Sequence, residues 1–344
     1  MNDRASAVLG SSSGGGSDPA AAQGGVGAAD PLSDVLRAVR LDGAFFYAVE
    51  ASEPWSVEAG AAKELTPTVL PGAEHLIPYH ILTDGHCWGG VAGEPPVALQ
   101  PGDVLVLPHG DPHVMSSDPK LRSAPAVPGR YPETVTIGDG GRVTATFVCG
   151  FLGCDRRPFN PLLATLPRQI HLPGLSSGWR QSFARQVVEE SRARRAGAGS
   201  VLTRLAELMF VEVLRRYLET LPPDEPGWLA GLRDDAVGRG LGLLHAAPAH
   251  PWTIDELAGR VAMSRSAFAD RFTTLVGHPP MQYLAHWRMQ LAAGRLVAGH
   301  AKVAAIADEV GYDSEAAFSR AFKRLMGVSP AAWRRAREGA SRTA

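Results

Sequence analysis

The chain has almost no cysteine: three in 344 residues, an odd and low count. That argues against a disulfide-stapled secreted scaffold and fits a reducing compartment, so a cytoplasmic protein is expected. Long hydrophobic runs are missing too. No stretch approaches the ~20 uninterrupted apolar residues of a membrane span, and no membrane partner is expected. The start lacks a basic segment followed by an apolar one, so no export signal is expected. Net charge is nearly absent, at −1. That balance hides a split, with 15 Lys+Arg against 10 Asp+Glu from Leu232 onward and 19 against 25 before it. A basic C-terminal part on an acidic body suits a polyanion partner for one end only.

What is present is enough apolar material, 45% of residues, and a length that suits two domains better than one. Residues 1–29 are mostly Ser, Gly and Ala, and their composition predicts a disordered tail. Asp30-Pro31-Leu32 opens a short helix with Leu32, Val35, Leu36 and Val39 on one face. Between Ala44 and Gly150, short apolar runs broken by Gly and Pro predict an antiparallel sandwich or barrel; examples are Gly43–Val49, Tyr79–Leu82, Asp103–Leu107 and Val143–Val148. After Pro161 helical periodicity takes over, from Trp179 to Arg194 and more strongly from Val201 to Leu218. The Pro222–Pro226 segment ends that helix, and from Gly227 to Arg337 everything reads as helices of about 8 to 18 residues. The expected fold class is α+β: an antiparallel β-barrel over 30–168, linker helices over 169–226 and an all-α domain over 227–344.

The last part repeats itself at an offset of about 50 residues. Trp252–Ala258, Ser264–Phe272 and Gly277–Pro280 form one unit; Val303–Ala307, Ser314–Phe322 and Gly327–Pro330 form the second. In the first, Thr253 and Glu256 are spaced as a capping box, Ile254, Leu257 and Ala258 make one apolar face, and Ser264 caps a second helix. Within that helix Phe268, Phe272 and Leu275 face inward, while Ser266, Ala269, Asp270 and Thr273 face outward, with Arg265 beside them. In the second unit Gly311-Tyr312 makes the turn, Phe318, Phe322 and Leu325 face inward, and Ala316, Ser319, Arg320 and Lys323 face outward. A helix with an aromatic ridge behind and small or polar groups in front can enter the major groove. Arg320, near the centre of its face, suits a bidentate contact to guanine; Lys323 and Arg324 suit phosphates. Asp270 is the awkward residue, since an acid repels phosphates unless it accepts from a cytosine amino group or holds Arg265 or Arg271. The helix from Met281 to Val297 would fix the two readers about one turn of DNA (~34 Å) apart.

Residues from about Trp252 to Arg335 resemble the DNA-binding domain of the AraC/XylS family of transcription regulators. The matching pieces are Ser264–Phe268, Phe272, Gly277–Pro280, Tyr283, Arg288 and Ile306-Ala307, continuing through Val310–Tyr312, Phe318, Arg320, Phe322-Lys323, Gly327 and Ser329-Pro330. Trp333 stands where a tyrosine is more usual. The family's groove-facing positions fall on Ser266, Ala269 and Asp270, then Ala316, Ser319 and Arg320. The resemblance implies a sequence-specific regulator with double-stranded DNA, a small-molecule effector, RNA polymerase and a second copy of the chain as partners.

The stretch Gly102–Ser117 resembles the second motif of cupin barrels, with Pro108 and Gly110 in the hairpin and His113 facing in. The first cupin motif, two histidines and a glutamate, has no counterpart in Leu76–Asp84, so the open metal site of cupin enzymes is incomplete. The resemblance implies a jelly-roll sensor, with His80, Trp88 and His113 as pocket candidates. No cofactor is required. Cys87, Cys149 and Cys154 with His80, His109 or His113 could form a structural zinc site, Cys149 and Cys154 a thiol switch, or the thiols could simply pack. Leu202, Leu205, Met209 and Val213 could form a dimer interface or could cover the barrel. The rival functions are a cupin-type metalloenzyme with a helical appendage and an architectural DNA binder that takes no ligand.

Overall fold

The computed structural model describes residues 30–70, 73–125, 134–155, 159–173, 186–187, 189–190, 195–222, 225–299 and 301–341. The tail expected over 1–29 and most of the helix expected from Trp179 to Arg194 lie outside them. Helix α1 (Pro31–Ala38) begins as expected, with the Asp30 carboxylate accepting from the Ser33 N–H. The strands are β1 (Asp42–Ser52), β2 (Ser56–Ala59), β3 (His75–Gly85), β4 (Cys87–Val91), β5 (Val97–Leu99), β6 (Val104–Val106), β7 (His113–Ser116), β8 (Ala124–Pro125), β9 (Thr134–Gly138), β10 (Val143–Cys154) and β11 (Ile170–Leu172). Helices α2 (Ala62–Val69) and α3 (Pro161–Thr165) interrupt them.

These strands form two sheets, ordered β11-β6-β3-β10-β1-β9 and β5-β4-β7-β2-β8. The sheets stay separate among the described residues, so the expected closed barrel gives way to a two-sheet sandwich. The purely antiparallel arrangement is also corrected, because β1 pairs with β9 and β2 with β8 in parallel. β8 and β9 are edge strands far in sequence from their partners, as parallel pairing without a hairpin requires. β11 pairs with β6 beyond residue 168, so the sheet runs past the boundary placed there.

Strand alternation decides what each face does. On β10, Phe147 and Cys149 enter the space between the sheets, while Val148, Leu152 and Cys154 join the core on the other side. β3 does the same, with Leu82 inside and Ile77, Tyr79 and Ile81 outside. Gly150 opposes Tyr79, whose ring occupies the space a Cβ would need. On the outer face lies α4 (Ala198–Thr220), with Ala206, Met209, Phe210, Val213 and Leu214 buried. Met209 and Val213 are therefore packed inside the subunit, with Leu202 and Leu205 half-buried against the same core. The stripe assigned to a dimer interface covers the sheet, the other role its periodicity allowed.

The helical half comprises α5 (Trp228–Arg233), α6 (Asp235–Ala246), α7 (Ile254–Arg260), α8 (Arg265–Val276), α9 (Pro280–Ala298), α10 (Val303–Glu309), α11 (Glu315–Met326) and α12 (Pro330–Ser341). The caps repeat as the sequence spacing predicts. Ser264 and Ser314 accept from the N–H groups of Ala267 and Ala317. Gly277 and Gly327 close α8 and α11 in the left-handed conformation. Only half of the capping box forms: Thr253 accepts from the Glu256 N–H, but the Glu256 carboxylate turns to His250.

The two turns differ at the residue that takes a positive φ. Gly311 takes φ +81° in the second, and a Cβ there would strike the Ala249 carbonyl. The corresponding residue of the first turn is Ala262, at φ +60°. An L-residue in this region costs roughly 1–2 kcal/mol. Ala262→Gly is expected to stabilise the fold by about 1 kcal/mol, read as a higher thermal midpoint by circular dichroism.

Candidate nucleic-acid interface

α8 and α11 each stand on a phenylalanine pair. Phe268, Phe272, Phe318 and Phe322 are completely buried, each contributing roughly 2–3 kcal/mol by leaving water. Leu275 is half-buried, but Leu325 is 37% exposed, so the third inward position of the second unit is not realised. Leu325 lies one residue before the helix end, where α11 passes beyond the hydrophobic base.

The outward residues of each helix share one face. On α8, Arg265, Ser266 and Asp270 are exposed, with Ala269 and Thr273 half-buried. The Thr273 hydroxyl donates back to the Ala269 carbonyl at 2.7 Å, so it is already committed within the helix. On α11, Ala316, Arg320, Lys323 and Arg324 are exposed and Ser319 is half-buried. Arg320 and Lys323 make no ion pair among the described residues, leaving both cations free for an anion.

Asp270 holds neither arginine. The Arg271 Nε donates to Asp234 at 2.7 Å, and Asp234 also caps α6. Arg265 sits 3.5 Å from Asp255. The arginine-holding role open to Asp270 is therefore taken by Asp234 and Asp255.

A residue that the sequence marked only as a family match holds the two units together. Arg288 on α9 donates from Nε to the Pro248 carbonyl at 2.7 Å and from its terminal nitrogens to His250 at 2.9 Å and Gly311 at 3.2 Å. Its guanidinium also lies 5.9 Å from the centre of the Tyr312 ring. One side chain thus ties the entry to the first unit to the turn of the second.

A second missed residue, Gln290, faces the sandwich. Its Nε2 donates to the Ala38 carbonyl at 2.7 Å, and its Oε1 accepts from the Phe159 N–H at 3.0 Å. Gln290 is 2% exposed. Its sequence signal was a polar residue at i+3 from Trp287, inside an apolar stripe. Nearby, the Tyr283 hydroxyl accepts from the Trp228 indole and donates to His245 Nε2. The Nδ1–H of the neutral His245 then points at Asp34 of α1, 3.5 Å away. Burial holds the His245 pKa below its ordinary value.

Between the sheets, His80 and His113 meet at 2.8 Å through their Nε2 atoms, and His80 Nδ1 lies 2.9 Å from Cys149 Sγ. His113 Nδ1 lies 3.1 Å from the Asp111 carbonyl, which can only accept. Burial keeps both rings neutral. The protons are therefore ordered: Cys149 S–H to His80, His80 N–H to His113, His113 N–H to the carbonyl. Cys149 and His113 occupy opposite nitrogens of His80 and cannot share one ion with it. Cys154 lies on the other face of β10, and Cys87 is packed with its thiol pushed up to about 12 by burial. The zinc set of Cys87, His113, Cys149 and Cys154 is thus not assembled, and no group of three His, Cys, Asp or Glu able to hold a metal occurs among the described residues. The Cys149–Cys154 switch fails for the same reason, an odd offset along a strand. Trp88 lies between inward Cys87 and Gly89, half-buried and outside the inter-sheet cluster, so it does not line that space.

Comparison with known proteins places these features. A cupin family model matches residues 30–219, more than half of the chain, and a helix-turn-helix domain model matches 257–336. An AraC-like transcription regulator of Streptomyces antibioticus is 34% identical over 89% of this chain and 98% of its own length. The chain belongs to the AraC-like transcription regulators. It is also 28% identical to the regulator AlkR of Acinetobacter baylyi, across 89% of this chain and 99% of AlkR. Among solved structures, the DNA-binding domain of AdpA in complex with a target DNA shows 31% identity over 30% of this chain and 93% of that one, with a TM-score of 0.29. The protein is a DNA-binding regulator, and no helix among its described residues is long and apolar enough to cross a membrane.

Arg288→Ala is expected to destabilise the regulator by about 2–3 kcal/mol, because three carbonyls lose a charged donor. It should weaken binding to DNA carrying both half-sites more than to DNA carrying one, measured by fluorescence anisotropy.

Proposed function

We propose that this AraC-like regulator reads two successive major-groove segments with α8 and α11 under the control of a small molecule bound in the sandwich. The observation that carries the reading is the matched pair of phenylalanine-backed helices whose outer faces are open, with Arg320 unpaired at the centre of the second. Ser266, Ala269 and Asp270 would meet bases in one half-site, and Ala316, Ser319 and Arg320 in the other; Arg265, Lys323 and Arg324 would meet phosphates. The inter-sheet interior, with one polar chain through Cys149, His80 and His113 in apolar surroundings, supports an effector site there. A ligand that bonded either imidazole would break that chain and shift the sheets. The shift reaches the readers through α9, which Gln290 fastens to α1 and to the segment before α3. The active species would be a cytoplasmic homodimer that contacts RNA polymerase. A catalytic role is disfavoured because the Cys149 thiol is held protonated by burial and both imidazoles are committed to partners.

Footprinting upstream of the neighbouring genes tests the reading. Wild type should protect a defined site, and Arg320→Ala should lose about 1–3 kcal/mol at one base pair. Equal binding to random and promoter DNA would sink the proposal. Uniform weakening of Arg320→Ala across all sequences would make Arg320 a phosphate contact. Gln290→Ala tests the coupling. It strands a buried carbonyl and N–H, at a cost of about 2 kcal/mol, and should split a single calorimetric transition into separate sandwich and helical transitions.

A further inference from the structure

We propose that Asp270 is a specificity-determining residue that selects a cytosine in the half-site under α8, its carboxylate accepting from the cytosine N4 amino group. The inference rests on the proposed reading of α8 as a groove-facing helix. It adds the identity of a base to it.

Asp270 is in the wrong place for its charge. Asp270 is exposed on the same stripe as Ser266, one turn further along α8, with Ala269 beside it. A carboxylate there repels phosphates and lowers affinity for every duplex. A structural purpose would compensate that cost, but the structure supplies none. The two arginines within reach in sequence are engaged elsewhere, Arg271 by Asp234 and Arg265 by Asp255. Asp270 caps nothing, as Ser264 does that work at the start of α8. Its carboxylate makes no hydrogen bond or ion pair among the described residues.

The chemistry of the groove then narrows the partner. An ionised carboxylate only accepts hydrogen bonds. Guanine shows two acceptors in the major groove, and thymine shows an acceptor and a methyl group, so both are rejected. Adenine offers an amino donor, but its N7 acceptor lies alongside and faces the second carboxylate oxygen. Cytosine offers the N4 donor with a C5–H, not an acceptor, beside it on its own base edge. The small side chains of Ser266 and Ala269 let the helix backbone approach the base edges closely enough for so short an acid to reach.

Binding-site selection from a randomised duplex library, with full-length wild type, Asp270→Ala and Asp270→Asn, decides the matter. Wild type should select cytosine at one position of one half-site. Asp270→Ala should lose that preference by about tenfold or more with the other positions unchanged. Asp270→Asn should move it toward adenine, whose N6 and N7 match an amide. Because Asp270 is exposed and unpaired, both variants should melt like wild type. Unchanged base preferences with a uniform rise in affinity would show a carboxylate that faces phosphates, and would overturn this inference while leaving the regulator reading intact. A wild type that selects no sequence would overturn both.

Discussion

Three backbone carbonyls converge on the guanidinium of Arg288, and the joint between the two helix-turn-helix units depends on that convergence. Two short helices that each read a few bases have value only if their separation is fixed, since a duplex presents its grooves at a set repeat. Hydrophobic packing alone leaves such a separation soft. The core beneath the second unit, around Phe318 and Phe322, is a cluster distinct from the one beneath Phe268 and Phe272. Arg288 supplies directional bonds across the gap between them. Burial lowers its pKa, yet an arginine stays charged at physiological pH, so the tie does not depend on acidity. Gly311 completes the joint, since only a residue without a Cβ lets the second turn lie against Ala249.

The same helix carries the second constraint. Residues 288 and 290 are about 200° apart around α9, so Arg288 faces the readers while Gln290 faces the sandwich. Gln290 satisfies an acceptor from the end of α1 and a donor ahead of α3, both of which would otherwise be buried without partners. Asp34 and His245 meet close by, and Arg337 on α12 pairs with Glu74 at the far end of the contact. The sandwich therefore leaves the outer faces of α8 and α11 open and grips the scaffold from which both hang. The proposed control through such a grip would act on the spacing and orientation of the readers, not on access to them.

What was legible in the sequence is what is local. The serine caps, the glycine exits and the phenylalanine ridges each depend on residues three to eleven apart, and the repeat shows them twice. The stripe on α4 was legible as a stripe, but its partner was not, because periodicity records that a face is buried and not what buries it. Strand alternation carries more: an offset of five between Cys149 and Cys154 puts the two thiols on opposite faces of one strand. The choice between sandwich and barrel was beyond reach, since apolar runs do not state which strands pair. Long-range polar ties were equally silent. Arg271 meets Asp234 across 37 residues and Gln290 meets Ala38 across 252, and no spacing rule links such pairs.

The two readers, alike in packing, are unlike in charge. α11 presents Arg320, Lys323 and Arg324 against a single acid, Glu315, at its first turn. α8 presents Arg265 and Arg271, each drawn toward a carboxylate, and adds Asp270. On the proposed reading, attraction to a polyanion, which sets most of the affinity and nearly all of its salt dependence, would therefore belong to the second unit. The first would gain less from phosphates, through Arg265 and its helix N-terminus, so more of its contribution would come from discrimination among bases. Such a division makes sense only when the two are rigidly joined. On the proposed reading, the cationic helix would bring the chain to any duplex, and the joint at Arg288 would oblige the acidic one to test the adjoining groove. A flexible connection would let the second unit bind alone and would leave the first with no influence on where the protein comes to rest.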